Sequence, residues 1–183
     1  MNAAKFQSLL GDLCACQEAV KWARGKDLHT VWITCERGDW LLWLCGKMVD
    51  KPGWSTRAQL VLAACSCAET SLKYVPSGED RPRAAIETAR KWARGKATIE
   101  EVRRAAAAAN AANAANAAAY AAAYAAAAAA YAADAYAAAD AAAYAAAAYA
   151  YAYAANAAAY AKALAECAEL VRRELSEPLK ESV

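Results

Sequence analysis

Along residues 1–97, apolar positions recur at spacings of three and four, and each run closes at a glycine, a proline or a capping residue. No run alternates with period two in β-branched residues, so the pattern predicts an all-α chain. A first helix is expected over roughly 9–24. A second, "DLHTVWITCER", follows Asp27 as cap and ends at Gly38. Asp39 is then expected to cap "WLLWLCGKMV". Lys51, Pro52 and Gly53 make a turn, and Ser55 or Thr56 caps a long helix reaching about Tyr74. "VPSGEDRP" is the longest loop signal, and Pro82 suits the first turn of a further helix that closes at Gly95.

The hexapeptide "KWARGK" occurs at 21–26 and again at 91–96. In both copies an apolar run ends in Trp, Ala, Arg and Gly. Glycine enters the left-handed conformation that ends helices at no steric cost, and the cations suit the negative end of the helix dipole. Asp27 can cap the helix after the first copy. Thr98 and Glu101 form a capping box after the second. The repeat therefore marks two helix corners, either as a reused local solution or as a duplication.

From Thr98 to Glu177 there is neither Gly nor Pro, and 42 of the 57 residues in 105–161 are Ala. One helix over that span would be roughly 120 Å long, too long for a compact domain. At about 100° per residue, Asn110, Asn113, Asn116, Tyr120, Tyr124, Tyr131 and Asp134 share one arc. Tyr136, Asp140 and Tyr144 move to another face. A turn near 130–136 is expected to fold the segment into an antiparallel hairpin and return 162–175 to Thr98 and the N-terminal helices. A second turn near 145–152 would make three helices instead. The expected organisation is a bundle of about five helices over 1–97, with the Ala/Tyr-rich hairpin of 98–183 packed back on it as one unit.

Composition narrows the function. The net charge is +2, which gives no field for nucleic acid or a membrane surface. Residues 1–104 carry 17 Lys/Arg against 12 Asp/Glu, whereas 105–161 carry only Asp134 and Asp140. Asn110, Asn113 and Asn116 disfavour a membrane span in the uncharged stretch. "MNAAKFQSLLGDLCAC" lacks the form of a secretory signal, which predicts a cytoplasmic chain with reduced thiols.

Candidate chemistry is sparse. His29 is the sole histidine and is expected on a helix surface; the seven glycines never cluster. "CAC" (Cys14, Cys16) and "CSC" (Cys65, Cys67) fall in predicted helices. Residues i and i+2 there point about 200° apart and cannot bite one ion, so the cysteines are expected in the core. No metal, cofactor or catalytic residue is assigned. Trp22, Trp40, Trp43 and Trp92 are expected as core anchors, with "WLLWL" deeply buried. Trp54, beside Pro52 and Gly53, is expected to be exposed. The loop Glu79, Asp80, Arg81 and Arg83 is either solvated surface or a recognition loop. Nine tyrosines in 105–161 exceed what helix formation needs. They either cover a neighbouring helix or form a partner-binding stripe, since Tyr with Asn on small residues resembles a paratope. The candidate partner-binding residues are Asn113, Asn116, Tyr120, Tyr124, Tyr131, Trp54, Asp80 and Arg81.

The stretch "GEDRPRAAIETARKWARGKATIEEVRRAAAAA", with the Ala-rich region and the closing "ALAECAELVRREL", resembles the alanine-rich "putative immunity protein" family of bacterial polymorphic-toxin systems, which is also phage-borne. "CACQEAVKWA" and "CERGDWLLWL" are similar to members of that group too. The resemblance implies a small helical, non-catalytic protein that neutralises a toxin by binding it, and it brings no active-site residues. The partner it implies is a protein, either a toxin or a component of host defence. Two other readings of the residues stay open: an Ala/Tyr helical protein that assembles into a homo-oligomer, and a helical protein that sequesters a small ligand or nucleotide.

Overall fold

The computed structural model describes residues 1–70, 72–75, 77–111 and 157–178, and all regular structure among them is helical. The chain runs through α1 (Ala3–Asp12), α2 (Gln17–Trp22), α3 (Leu28–Thr34), α4 (Gly38–Met48), α5 (Arg57–Glu69), α6 (Arg81–Ala93), α7 (Ile99–Ala111) and α8 (Ala157–Glu174). A short 3₁₀ turn, Leu72–Tyr74, follows α5. The all-α expectation holds. The proposed hairpin turns at 130–136 and 145–152 lie outside the described residues.

Helix α5 is the centre of the bundle. Its sequence "LVLAACSCA" is apolar on every side, and Leu60, Val61, Ala63, Ala64, Cys65, Cys67 and Ala68 are all buried. One side, with Val61, Cys65 and Ala68, packs on Ala85, Ile86 and Ala89 of α6 and Val102, Ala106 and Ala109 of α7. The other, with Leu60, Ala63 and Cys67, meets Leu41, Leu42 and Cys45 of α4 and Cys167, Ala168 and Val171 of α8. A third cluster joins Phe6 and Leu10 of α1 to Leu28, Val31, Leu44 and Met48. Helix α8 packs on α4 and α5. The approach to α4 is close because Gly38 has no side chain. A Cβ there would stand 2.6 Å from the Ala168 nitrogen and 2.6 Å from Cys167 Cβ.

Several element ends match the pattern. Asp27 accepts from the Thr30 amide at 2.7 Å. Thr56 and Gln59 form a capping box, and so do Thr98 and Glu101. Gly25 and Gly95 have positive φ, +77° and +69°. At Gly95 the turn is a Schellman motif: Lys96 N donates to Lys91 O at 2.7 Å and Gly95 N to Trp92 O at 2.8 Å. At Gly25 it is looser, since α2 has already ended at Trp22.

Other expectations are corrected. The helix expected over 9–24 is two helices, which makes six before residue 97 rather than five. The break is also a Schellman turn, with Ala15 N donating to Leu10 O and Cys14 N to Gly11 O. The position glycine usually takes is held by Cys14 at φ +57°. Hence Cys14 is in a turn, Cys16 precedes α2, and both are exposed rather than in the core. Asp39 does not cap α4, which begins one residue earlier at Gly38; it sits in the first turn, where a carboxylate suits the helix dipole. Helix α5 stops at Glu69, short of Tyr74.

Candidate partner-binding surface

The tryptophans lie at the margins of the core. Trp32 is buried, but Trp40 and Trp43 are half-buried beside the fully packed Leu41, Leu42 and Leu44, which corrects the deep burial expected of them. Trp54 is half-buried as well, packed against the Phe6–Leu10 cluster, and not exposed. Trp22 and Trp40 tilt against each other at 5.9 Å between ring centroids. Lys26 Nζ stands 3.3 Å from the Trp22 centroid and Arg37 Cζ 4.3 Å from that of Trp40. Arg37 also forks onto Asp39, Nε to Oδ1 at 2.9 Å and Nη2 to Oδ2 at 2.6 Å. The Trp22–Trp40 ring contact clasps α2 to α4, and each ring carries a cation from its own stretch of chain. Sequence reading missed it, although Trp22 with Lys26 and Arg37 with Trp40 have the spacing of side chains one turn apart.

The solvent edge of α6 and α7 is different in kind. Glu79 accepts from the Arg81 amide and guanidinium, and these hydrogen bonds hold its carboxyl below the usual carboxylate range. Asp80 occupies the cap position of α6 without a side-chain capping bond and is exposed. Arg83, Lys91 and Arg94 follow on exposed turns of α6. Between α6 and α7 opens a hollow of about 520 Å³ lined by Thr88, Lys91, Lys96, Glu101 and Arg104. Its one carboxylate, Glu101, is tied to Thr98, whose amide and hydroxyl donate at 2.7 and 3.1 Å. Those bonds, backed by Arg104 and Lys91, hold the Glu101 carboxyl below its ordinary value. The hollow therefore offers three exposed cations against one internally satisfied anion.

The sequence-derived site residues divide. Trp54 belongs to the α1–α3–α4 cluster, whereas Asp80 and Arg81 open α6, which packs on α5 and α7. Asn113, Asn116, Tyr120, Tyr124 and Tyr131 lie outside the described residues. His29 is on the exposed side of α3 as expected, its Nδ1 donating to Glu177 Oε1 at 2.6 Å. Among the described residues no group of three or more His, Cys, Asp or Glu is placed to hold a metal ion. No described helix is long and apolar enough to cross a membrane.

The described residues thus define an all-α bundle with a cation-rich edge along α6 and α7. The family model described as "Imm-5 like putative immunity protein" matches residues 53–178, more than half of the chain, and the protein belongs to that family. No curated protein and no solved structure matches the chain.

Proposed function

We propose that the chain is an intracellular inhibitor of the immunity type, which neutralises a protein toxin by binding it one to one. One observation carries this reading: the family match over residues 53–178. Two further features support it. The Ala-rich segment inside the match carries more tyrosine than helix formation asks for, and aromatic residues are the anchors of protein interfaces. The edge that begins at Asp80 and Arg81 and continues through Lys91, Lys96 and Arg104 is exposed and cationic. We assign the partner to these two regions: Asn113, Asn116, Tyr120, Tyr124 and Tyr131 supply the anchors, and the cationic edge steers an acidic face of the toxin.

The test is a titration against a candidate protein toxin, sought among the genes that neighbour this one. Toxin activity should fall linearly and vanish at one equivalent. Tyr124→Ala should weaken the complex by about 10–100-fold, in the range of an interface anchor, and leave the melt unchanged. Lys91→Glu with Arg104→Glu should slow association, most at low salt. Neutralisation at far below one equivalent would mean a catalytic route and would overturn the reading. An unimpaired complex with both variants would remove the two regions and return the interface to the surface around Trp54.

A further inference from the structure

Five of the seven cysteines are buried. Two of these, Cys67 on α5 and Cys167 on α8, face each other across the helix pair, with their Sγ atoms 2.7 Å apart. That is closer than two unbonded thiols sit in van der Waals contact. It is within roughly 0.7 Å of the ~2.05 Å disulfide bond length. Both residues are fully buried in the cluster that joins α4, α5 and α8. Cys45, in the same cluster, has its thiol pushed up to about 12 by burial.

We propose that Cys67 and Cys167 are a reversible oxidation site, which forms a disulfide that staples α5 to α8. A peroxide is the oxidant class. The thiolate of one cysteine attacks a peroxide oxygen, giving a sulfenic acid and releasing hydroxide. The second sulfur then attacks the sulfenic sulfur, and the hydroxyl leaves as water. Two thiols and one hydrogen peroxide give one disulfide and two waters. The bond would close a loop across 100 residues of sequence that holds the whole Ala/Tyr-rich segment. Closing so long a loop constrains the unfolded chain strongly, so α8 would stay docked under conditions that otherwise release it. The hydrogen bond shared with Cys67, in which the Cys167 thiol donates, and burial both raise the Cys167 thiol well above its ordinary value. Reaction in the closed bundle is therefore slow and runs through transient opening of α8. The exposed Cys14 and Cys16 have no such barrier.

The experiment treats the full chain carrying Cys14→Ser and Cys16→Ser with hydrogen peroxide, then alkylates it, digests it and reads the peptides by mass spectrometry. The expected product is a peptide pair joined through Cys67 and Cys167, lighter by two hydrogens than its thiol halves and released by dithiothreitol. Its rate should rise in mild urea. Tm should rise by on the order of 10 °C on oxidation, return on reduction, and stay unmoved by peroxide in Cys167→Ala. The unmodified chain, read by the same peptide analysis, gives the answer without any substitution should a variant fail to fold. Recovery of Cys67 and Cys167 as singly alkylated thiols, a pairing of either with another cysteine, or a bond that leaves Tm unchanged would each overturn the proposal.

Discussion

Gly38 shows how far one hydrogen atom in place of a methyl can reach. Its missing Cβ is the space into which the Cys167–Ala168 backbone fits. Gly38→Ala should therefore force α4 from α8 and cost about 1–3 kcal/mol, as overpacking does. Urea melts measure this, and a variant within ~0.5 kcal/mol of the parent would show that the helices slide apart freely. Glu101 acts through charge instead. Its folded-state carboxyl lies below the ordinary value of 4.5, first through the Thr98 amide, next through the Thr98 hydroxyl. A depressed carboxyl stabilises fully above the unfolded value and loses that contribution as pH falls through the folded one. Glu101→Gln keeps a capping acceptor and removes only the charge. The parent should be the more stable of the two at pH 7, with the gap closing as pH drops below 4.5. A gap independent of pH would exclude the charge as its cause.

Between elements, Arg172 holds α8 to the end of α3. Its Nη1 donates to Trp32 O and Cys35 O, both at 2.9 Å, and Nη2 to Glu169 at 2.7 Å. These carbonyls close α3 where no glycine does, since Cys35 leaves the helix with extended backbone. Arg172→Ala should cost about 2 kcal/mol by stranding them. Arg172→Lys should restore less than half of that, because an ammonium cannot fork. Equal stability of all three in denaturant melts would assign the closure to packing alone. Nothing in "VRREL" distinguishes this arginine from an ordinary cation at a helix end. That is the general limit of what was legible. Local chemistry announced itself at Gly95 and at Thr98 with Glu101, because each motif is complete within a few residues, whereas the cap of α5 was legible only as Ser55 or Thr56. The α1–α2 break did not, because Cys14 takes the left-handed place that sequence reading reserves for glycine. The half-burial of Trp54 against the cluster of Phe6, Leu10 and Val31, and the Trp22–Trp40 clasp, depend on partners on other helices, which periodicity does not encode. The Asp80 and Arg81 edge was legible as a charged loop, but its continuation into the Lys91–Lys96–Arg104 hollow required the packing of α6 on α7.

For the whole molecule, the relation between the family match and the core decides what can stand alone. The match begins at residue 53, so α5 to α8 lie within the matched residues and α1 to α4 before them. Yet the central cluster does not divide there. Trp32, Leu41, Leu42 and Cys45 pack directly with Leu60, Ala63, Cys67, Cys167, Ala168, Val171 and Leu175. Removing residues 1–52 would bare that side of α5 and α8 together. Burial of each large apolar side chain is worth roughly 1.5–3 kcal/mol, and a whole domain holds only about 5–15 kcal/mol in reserve. Losing the partners of Leu60, Val171 and Leu175 at once, along with the Arg172 bonds to α3, removes most of such a reserve. The fragment 53–183 should therefore keep helical circular dichroism, from helices that Ala-rich sequence favours locally, but melt without a cooperative transition and bind a hydrophobic dye. Supplying residues 1–52 as a separate chain should restore cooperativity, since the same apolar faces can re-form without the covalent link. A fragment that melts sharply within a few degrees of the full chain would show that α6 and α7 alone support α5, and that α1 to α4 are an addition to the bundle rather than one wall of it.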